Sequence, residues 1–170
     1  VTITNTGGGD DPGTPGVRYQ QGTWTPVFTS GVVLGNPQAF WTRTGNTIFV
    51  SLDFSWETTP SGGDTFYIDG LPYTSDIHAA GSLYVANKDS EVVAIPYTLK
   101  DENRIGVKGL STKANLTPTV DLSNGFFKDG YLNITLVYTT DNTTFAPVTG
   151  STVTEDIQGS GGGGGGGGAD

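Results

Sequence analysis

The sequence has no cysteine and only one histidine, His78, and these absences limit the chemistry open to it. Without cysteine, neither a disulfide nor a thiolate metal site can hold the fold, so stability must come from packing or from assembly. One histidine cannot build a typical zinc site, and no nucleophile motif such as GxSxG is present. We therefore predict no metal ligands, no cofactor and no catalytic residues. The simplest interpretation of His78 is an ordinary loop residue.

Positive charge is also scarce. Lys and Arg together number 8 against 17 Asp and Glu, which gives a formal net charge of −9. So few cations cannot neutralise a run of phosphates, which argues against nucleic acid and anionic membrane surfaces as partners. No apolar run approaches the ~20 residues of a membrane span, and no signal peptide opens the chain. The first residue is Val1 rather than Met, as expected of a fragment or a processed product.

Three aspartates in one loop-rich stretch are the best candidates for acid–base chemistry: Asp64, Asp69 and Asp76. Paired carboxylates can cleave glycosidic bonds. In turns, however, aspartate is common because its side chain accepts hydrogen bonds from the neighbouring backbone. The turn interpretation is therefore favoured over a glycosidase or depolymerase, and we predict that the protein is not an enzyme. The other acidic pairs lack the length and regularity of a calcium loop.

The strongest pattern that is present is an alternation of apolar and polar residues over positions 47–56. Every second side chain is large and apolar: Ile48, Val50, Leu52, Phe54 and Trp56. Period two predicts a β-strand. A strand so apolar on one face needs a second apolar sheet roughly 10 Å away to cover it. Phe49 is the single apolar residue on the opposite face.

Shorter segments of the same kind, separated by turn residues, follow along the chain. Further strands are predicted over residues 22–28, 30–35, 38–43, 65–68, 81–86, 92–99, 104–109 and 131–140. Thr44-Gly45-Asn46 is a tight turn that should join 38–43 to 47–56 as a hairpin. Because no helical window is present, the pattern predicts an all-β fold, an antiparallel β-sandwich that is jelly-roll-like.

Both ends of the chain depart from this pattern. We predict an N-terminal arm or linker over residues 1–21, a β-sandwich domain over 22–148, and a polar and polyglycine C-terminal tail over 149–170. Polyglycine loses much backbone entropy on ordering, so a flexible end is one interpretation and packing between neighbouring chains is the other. The N-terminal arm leaves a similar choice, between a connector and a strand that pairs with a neighbouring subunit.

Aromatic residues fall into two groups by position. Those at strand positions are predicted to be core residues: Trp24, Phe40, Trp41, Trp56, Phe66 and Tyr138. The others lie in or beside loops, where a ring next to Asn, Asp or Ser is suited to stacking on the face of a sugar. From this group and the lone histidine we predict ligand contacts at Tyr73, His78 and Tyr97. Burial at a contact between subunits is an equally good interpretation of each loop aromatic.

Three segments match one pattern when they are read together: GTWTP at 22–26, FWTRTGNTIFV at 40–50 and DGLPY at 69–73. They resemble the GTWTP, Y-x-+-x-GN-x-V-x-V and GLPF pattern of domains at the ends of bacteriophage tail fibres, tail spikes, appendages and related virion proteins. The resemblance covers roughly residues 22–140. Trp41 stands where Tyr is commoner, Tyr73 stands where Phe is commoner, and the polyglycine end is no part of the pattern.

The resemblance implies a trimeric β-sandwich that serves trimer formation or host-surface binding. A monomer would expose the ring of Phe49 and a trimer could bury it, so we predict subunit contacts at Phe49, Phe126 and Phe127. The expected protein is a phage virion component outside the cell, a homotrimeric tail-fibre or appendage domain. Its expected partners are other virion proteins and a bacterial surface polysaccharide or protein, bound through multivalency. A head fibre, decoration or connector protein that interlocks with neighbouring subunits is the alternative.

Overall fold

The computed structural model describes residues 17–28, 34–56, 65–85, 92–111 and 131–158. Two of the predicted subunit contacts, Phe126 and Phe127, and the glycine run at 161–168 lie outside these ranges. Within the ranges, no helix has the length and apolar character needed to cross a membrane.

Within these ranges ten strands form two antiparallel sheets, which confirms the predicted all-β sandwich. The strands are β1 (Tyr19–Thr23), β2 (Val27–Phe28), β3 (Leu34–Thr44), β4 (Thr47–Trp56), β5 (Thr65–Asp69), β6 (Ser82–Val85), β7 (Val92–Thr98), β8 (Arg104–Ser111), β9 (Tyr131–Thr139) and β10 (Thr152–Ile157). One sheet has the order β10-β1-β3-β4-β9-β6 and the other has the order β2-β5-β8-β7. Most successive strands alternate between the two sheets, as they do in a jelly roll.

The core lies between the sheets, and β4 is at its centre. The side chains of four of the five alternating apolar residues of β4 are described, and all four are buried: Ile48, Val50, Leu52 and Phe54. The residues of the neighbouring strand β9 that lie directly opposite these four also point inward and are buried. They are Leu132, Ile134, Leu136 and Tyr138. The four-stranded sheet covers this face with Phe66, Ile68, Ile105 and Val107. The opposing sheet that the alternation requires is therefore present.

The predicted hairpin is confirmed, with Thr44 opposite Thr47 across the Gly45-Asn46 turn. Gly45 has a φ of +57° there, a conformation that glycine adopts without strain. The strand before the turn is longer than predicted, because β3 runs over residues 34–44 and passes through Asn36 and Pro37, which separate the strands predicted over 30–35 and 38–43. The register shifts between Gly35 and Gln38, and Asn36 has a φ of +46°. Asn36 and Pro37 thus form a β-bulge within β3.

The predicted strand over 22–28 is in fact two strands in different sheets. Its first residues belong to β1, which begins at Tyr19, and its last two form β2. Pro26 lies between them and has no N–H to contribute to a ladder. The chain therefore crosses from one sheet to the other at this point.

The six-stranded sheet also continues beyond the domain limits expected at residues 22 and 148. β1 starts within the segment assigned to the N-terminal arm, and β10 lies within the segment assigned to the tail and pairs with β1. All six residues of β10 are exposed. An edge strand without a buried face has no apolar alternation, so the sequence contains no signal for it.

A buried arginine connects the hairpin to the segment before β10. Arg43, on the inner face of β3, is fully buried. Its Nε donates to the Gly45 carbonyl oxygen at 2.7 Å, and its two terminal nitrogens donate to the side-chain and backbone oxygens of Asn142. The guanidinium carbon lies 4.5 Å from the ring centroid of Tyr73 and 3.6 Å from that of Phe145. Both contacts have cation–π geometry.

A second arginine, Arg18, lies over the same Phe145 ring, at 4.5 Å from its centroid. It also pairs with Asp156 of β10, and its Nε donates to Oδ1 at 2.8 Å. Gln20 donates to Asp156 Oδ2 at 3.0 Å and to the Phe145 carbonyl oxygen at 3.1 Å. We call the residues of these contacts the arginine cluster; they are Arg18, Gln20, Arg43, Tyr73, Asn142, Phe145 and Asp156. The cluster attaches the segment after β9, and β10 itself, to the sandwich.

The ion pair with Arg18 lowers the pKa of Asp156 to about 2, with a further contribution from the Gln20 hydrogen bond. A carboxyl whose folded pKa lies below its ordinary value of 3.8 stabilises the fold above that value and loses this contribution as the pH falls towards 2. We therefore expect the amide protection factors of β10 to fall relative to those of β9 between about pH 4 and pH 2.

Hydrogen exchange followed by NMR measures this difference. Asp156→Asn should remove the pH dependence and lower protection in β10 at neutral pH. Glu155→Gln is the matched control, because Glu155 is the adjacent carboxylate in β10 and lies opposite Gln21 rather than Gln20. Equal protection of β10 in wild type and Asp156→Asn would contradict a role for the ion pair in holding the strand.

Candidate functional site

A row of directly opposite residues crosses the outer face of the four-stranded sheet. Tyr67 of β5 is opposite Gly106 of β8, which is opposite Tyr97 of β7, and Ala80 forms a bridge with Tyr97 at the sheet edge. The residues on either side of Tyr67 along β5 are Phe66 and Ile68, which are buried in the core. Tyr67 therefore points outward, and so does Tyr97, because directly opposite residues share a face. We call Tyr67, Gly106 and Tyr97 the tyrosine row.

Gly106 makes space for one of the two rings. A Cβ atom at this position would lie 2.4 Å from Cζ of Tyr97 and 2.7 Å from its hydroxyl oxygen. The hydroxyl end of the Tyr97 ring therefore lies directly over the backbone of β8, where only glycine allows such a close approach. Both tyrosines are half-buried. The row thus forms a shallow aromatic surface on a rigid sheet.

One end of the tyrosine row carries an arginine. The guanidinium carbon of Arg104 lies 5.2 Å from the ring centroid of Tyr67. Its Nε lies 3.0 Å from Oδ1 of Asp69 and 3.1 Å from Oε2 of Glu102. A single N–H cannot align with both oxygens, so these contacts are electrostatic rather than two well-formed hydrogen bonds. In this partly exposed position they orient Arg104 and contribute little to stability.

Two of the three predicted ligand contacts lie on neighbouring segments. Tyr97 is in the tyrosine row, and His78 lies in the loop between β5 and β6, which runs beside the edge strand β7. The His78 side chain is exposed, and its Nδ1 accepts a hydrogen bond from the backbone N–H of Lys100 at 3.4 Å. Sequence reasoning did not select Tyr67 or Arg104, since nothing local shows that β5 and β7 both flank β8.

Tyr73, the third predicted ligand contact, is a core residue with 1% of its surface exposed. Its hydroxyl donates to Oε1 of Gln20 at 2.7 Å, and its ring meets the edge of Trp41 at 5.5 Å and 83°. Burial raises the pKa of the Tyr73 hydroxyl. A ring in this position has no open face for a ligand. The tyrosine of the DGLPY segment therefore joins this segment to the core and to the arginine cluster.

The outer face of the six-stranded sheet carries an apolar patch. Phe49, predicted to lie at a subunit interface, is directly opposite Val137 of β9, and Phe40 of β3 lies diagonally across from it. Their exposed fractions are 41%, 51% and 50% respectively. We call Phe40, Phe49 and Val137 the apolar patch. It is bordered by small polar residues, namely Thr42, Ser51 and Thr135.

Phe40 corrects the prediction that every aromatic residue at a strand position is part of the core. Trp24, Trp41, Phe66 and Tyr138 are buried as predicted. Phe40 and Trp41 are neighbours in β3, however, and successive side chains in a strand point to opposite faces. Trp41 is opposite the buried Val50, whereas Phe40 is opposite Ser51 on the outer face. The turn at Gly45-Asn46 determines this pairing and is the sequence signal that could have identified Phe40.

Towards one end of the same outer face are two more tyrosines. Tyr84 of β6 is opposite Asn133, which is opposite Asp53, and Tyr131 forms a hydrogen bond with Asp53. This bond is the main cause of a raised pKa at Tyr131. In the described ranges, no group of three or more His, Cys, Asp or Glu residues is placed to hold a metal ion.

No protein-family model matches this chain. No curated protein matches it either. A solved structure does resemble it: the crystal structure of Dettilon tailspike protein (gp208), with a TM-score of 0.57 and 18% sequence identity. The match covers 71% of this chain and 24% of the tailspike chain, so this chain spans about a quarter of that protein. At this identity the likeness is one of fold.

Proposed function

We propose that this chain is a non-enzymatic structural domain of a bacteriophage virion, located in a tail fibre, tail spike or similar appendage. In this proposal it works as a homotrimer and attaches the virion to the surface of the host bacterium. The likeness of its fold to part of a tailspike protein supports the proposal. So do the three sequence segments at 22–26, 40–50 and 69–73, which resemble virion appendage domains.

The apolar patch is the observation that best supports a trimer. Three large apolar side chains lie together on the three central strands of the six-stranded sheet, and each is at least two-fifths exposed. Full burial of an exposed side chain of this size contributes about 1.5–3 kcal/mol, so covering one that is already about half buried contributes roughly 1 kcal/mol. The patch is bordered by Thr and Ser rather than by charged residues, so a second copy could cover it without desolvating ions.

A trimer that used this face would leave the four-stranded sheet exposed to solvent in each subunit. Three identical faces on one rigid axis would then be presented to the host surface. Weak binding at each face would add up to strong attachment, because the second and third contacts form at a high effective concentration. The trimer thus needs no deep pocket, and shallow exposed sheet faces suit this mode of binding.

The oligomeric state provides the first test. We expect light scattering coupled to size exclusion to give a mass three times the 17.7 kDa of one chain. Phe49→Ser should shift the mass towards that of one chain, because it removes the central apolar side chain of the patch. Val27→Ser is the matched control, since Val27 is 55% exposed on the other sheet, opposite Asp69. A wild-type monomer, or an unchanged trimer in Phe49→Ser, would contradict the proposed interface.

Binding of the labelled trimer to bacterial cells tests the second part of the proposal. Retention on the cell surface supports host attachment. A trimer that bound purified virions but no bacterial cell would instead support the head-fibre, decoration or connector alternative.

A further inference from the structure

We propose that the tyrosine row binds a neutral polysaccharide built of hexopyranose units. This inference rests on the proposed function, because it names the class of host molecule that the domain recognises. It also assigns the contact to the four-stranded sheet, with Tyr97 and Tyr67 as the stacking residues and Arg104 as the polar group beside them.

The shape of the row suits an extended sugar chain. Tyr67 and Tyr97 stand on strands separated by β8, so their backbones are about 10 Å apart, two strand spacings. Between them Gly106 contributes no side chain, and the Tyr97 ring leans into this space over the backbone. The result is a low, continuous surface rather than a cavity. A polymer can lie along such a surface, whereas a small isolated ligand would keep most of its area in water.

The chemistry of the row is amphipathic. Tyrosine offers an apolar ring together with a hydroxyl group that can donate and accept hydrogen bonds. Pyranose rings have the same combination, with C–H groups on their faces and hydroxyls at their edges. Arg104 is held against Tyr67 by Asp69 and Glu102, so its donors are oriented before a ligand arrives. Pre-orientation of this kind lowers the entropy cost of binding.

The charge around the row favours a neutral polymer over an acidic one. The positive charge of Arg104 is already matched by two carboxylates at 3.0 and 3.1 Å. The whole chain has a formal net charge of −9, which repels polyanions at long range. This negative charge does not repel uncharged sugars, and the polar side chains of the row can form hydrogen bonds with sugar hydroxyls.

The test uses the full chain on an array of bacterial surface polysaccharides that carries both neutral hexose polymers and uronic-acid polymers. We expect binding to at least one neutral polymer. Tyr97→Ala should weaken that binding about tenfold or more, because each subunit loses one stacking contact and the losses combine when several subunits bind the same polymer. Tyr67→Ala should also weaken it. Tyr84→Ala, which removes an exposed tyrosine from the other sheet, is the matched control and should bind like wild type.

A second pair of variants separates stacking from folding. Tyr97→Phe keeps the ring and should keep most of the binding. Gly106→Ala places a methyl group where the Tyr97 ring lies and should displace the ring, so binding should fall although Tyr97 is still present. Unfolding curves of each variant confirm that the sandwich is intact.

Binding to no neutral polymer, binding to uronic-acid polymers alone, or equal losses in Tyr97→Ala and Tyr84→Ala would overturn the inference. The mass of each sample is measured in parallel, so the two proposals fail separately. A trimer that attaches to bacterial cells but to no neutral polysaccharide overturns only the proposal that the tyrosine row is a sugar site. A monomer that binds a neutral polysaccharide through Tyr97 supports the sugar site and overturns the trimer.

Discussion

Replacement of Arg43 by alanine is expected to destabilise the fold by about 3–4 kcal/mol. The guanidinium is fully buried and donates to the Gly45 carbonyl oxygen and to two oxygens of Asn142. Alanine would remove this donor from the carbonyl oxygens of Gly45 and Asn142, whereas Asn142 Oδ1 would keep the N–H of Phe145. It would also open a space between the rings of Tyr73 and Phe145. The hairpin turn and the segment that leads to β10 would lose their shared contact.

Equilibrium unfolding in urea, at one protein concentration for all variants, measures this loss. Arg43→Lys should recover little of it, because an ammonium group lacks the planar fork that reaches three acceptors and covers two rings. Arg104→Ala is the matched control, since Arg104 also lies over a tyrosine and beside acceptors but is partly exposed. We expect Arg104→Ala to lower the free energy of unfolding by about 1 kcal/mol or less. Similar losses at both arginines would contradict the role given to burial.

Replacement of Gly70 by alanine is expected to cost about 3 kcal/mol or more, through two separate effects. Gly70 has a φ of +100°, where a side chain strains the backbone. A Cβ atom at Gly70 would also lie 2.4 Å from the carbonyl oxygen of Thr25, which is backbone and cannot rotate away. The N–H groups of Gly70 and Leu71 both donate to the Asn103 carbonyl oxygen, so a shift of this turn breaks further contacts.

Gly45→Asn is the matched control for this prediction. Gly45 also has a positive φ, +57°, but its nearest neighbour is a methyl group of Val17 at 3.3 Å rather than backbone. Asparagine tolerates this region of backbone conformation, so a cost of about 1 kcal/mol or less is expected. If Gly70→Ala unfolded at the same urea concentration as wild type, the turn would not be confined as the structure indicates.

The contacts behind these two predictions also join the three segments that resemble virion appendage domains. Arg43 is the cation two residues before Gly45-Asn46, and it lies over Tyr73 of the DGLPY segment. Gly70 of that segment lies against Thr25 of the GTWTP segment. Segments far apart in sequence therefore meet in one place, where they set the positions of the turns. They are evidence for the fold rather than for a ligand.

Several features were predictable because their causes are local. The alternation over 47–56 identified β4 and its buried face, and the Gly45-Asn46 turn identified the hairpin with β3. Phe49 was selected as the one apolar residue on the outer face of β4, and it is exposed. Period two and turn chemistry act within a few residues, so the sequence alone is enough to detect them.

Other features depended on contacts between distant residues. β10 is an exposed edge strand whose place depends on pairing with β1 and on the arginine cluster. Tyr73 was predicted to face a ligand, but the contacts of its ring and hydroxyl with Arg43 and Gln20 lie inside the protein. Nothing within the neighbouring sequence distinguishes a buried loop aromatic from an exposed one.

The sequence by itself therefore determined the fold class, the central strand and one exposed apolar residue of its outer face, Phe49, because side-chain periodicity and turn preferences are local properties. Only the tertiary structure decided which strands are neighbours. That order places Tyr67 and Tyr97 on either side of Gly106, and places Val137 beside Phe49. The physical reason is that strand order minimises the exposed apolar surface of the whole chain, a quantity that no single segment contains.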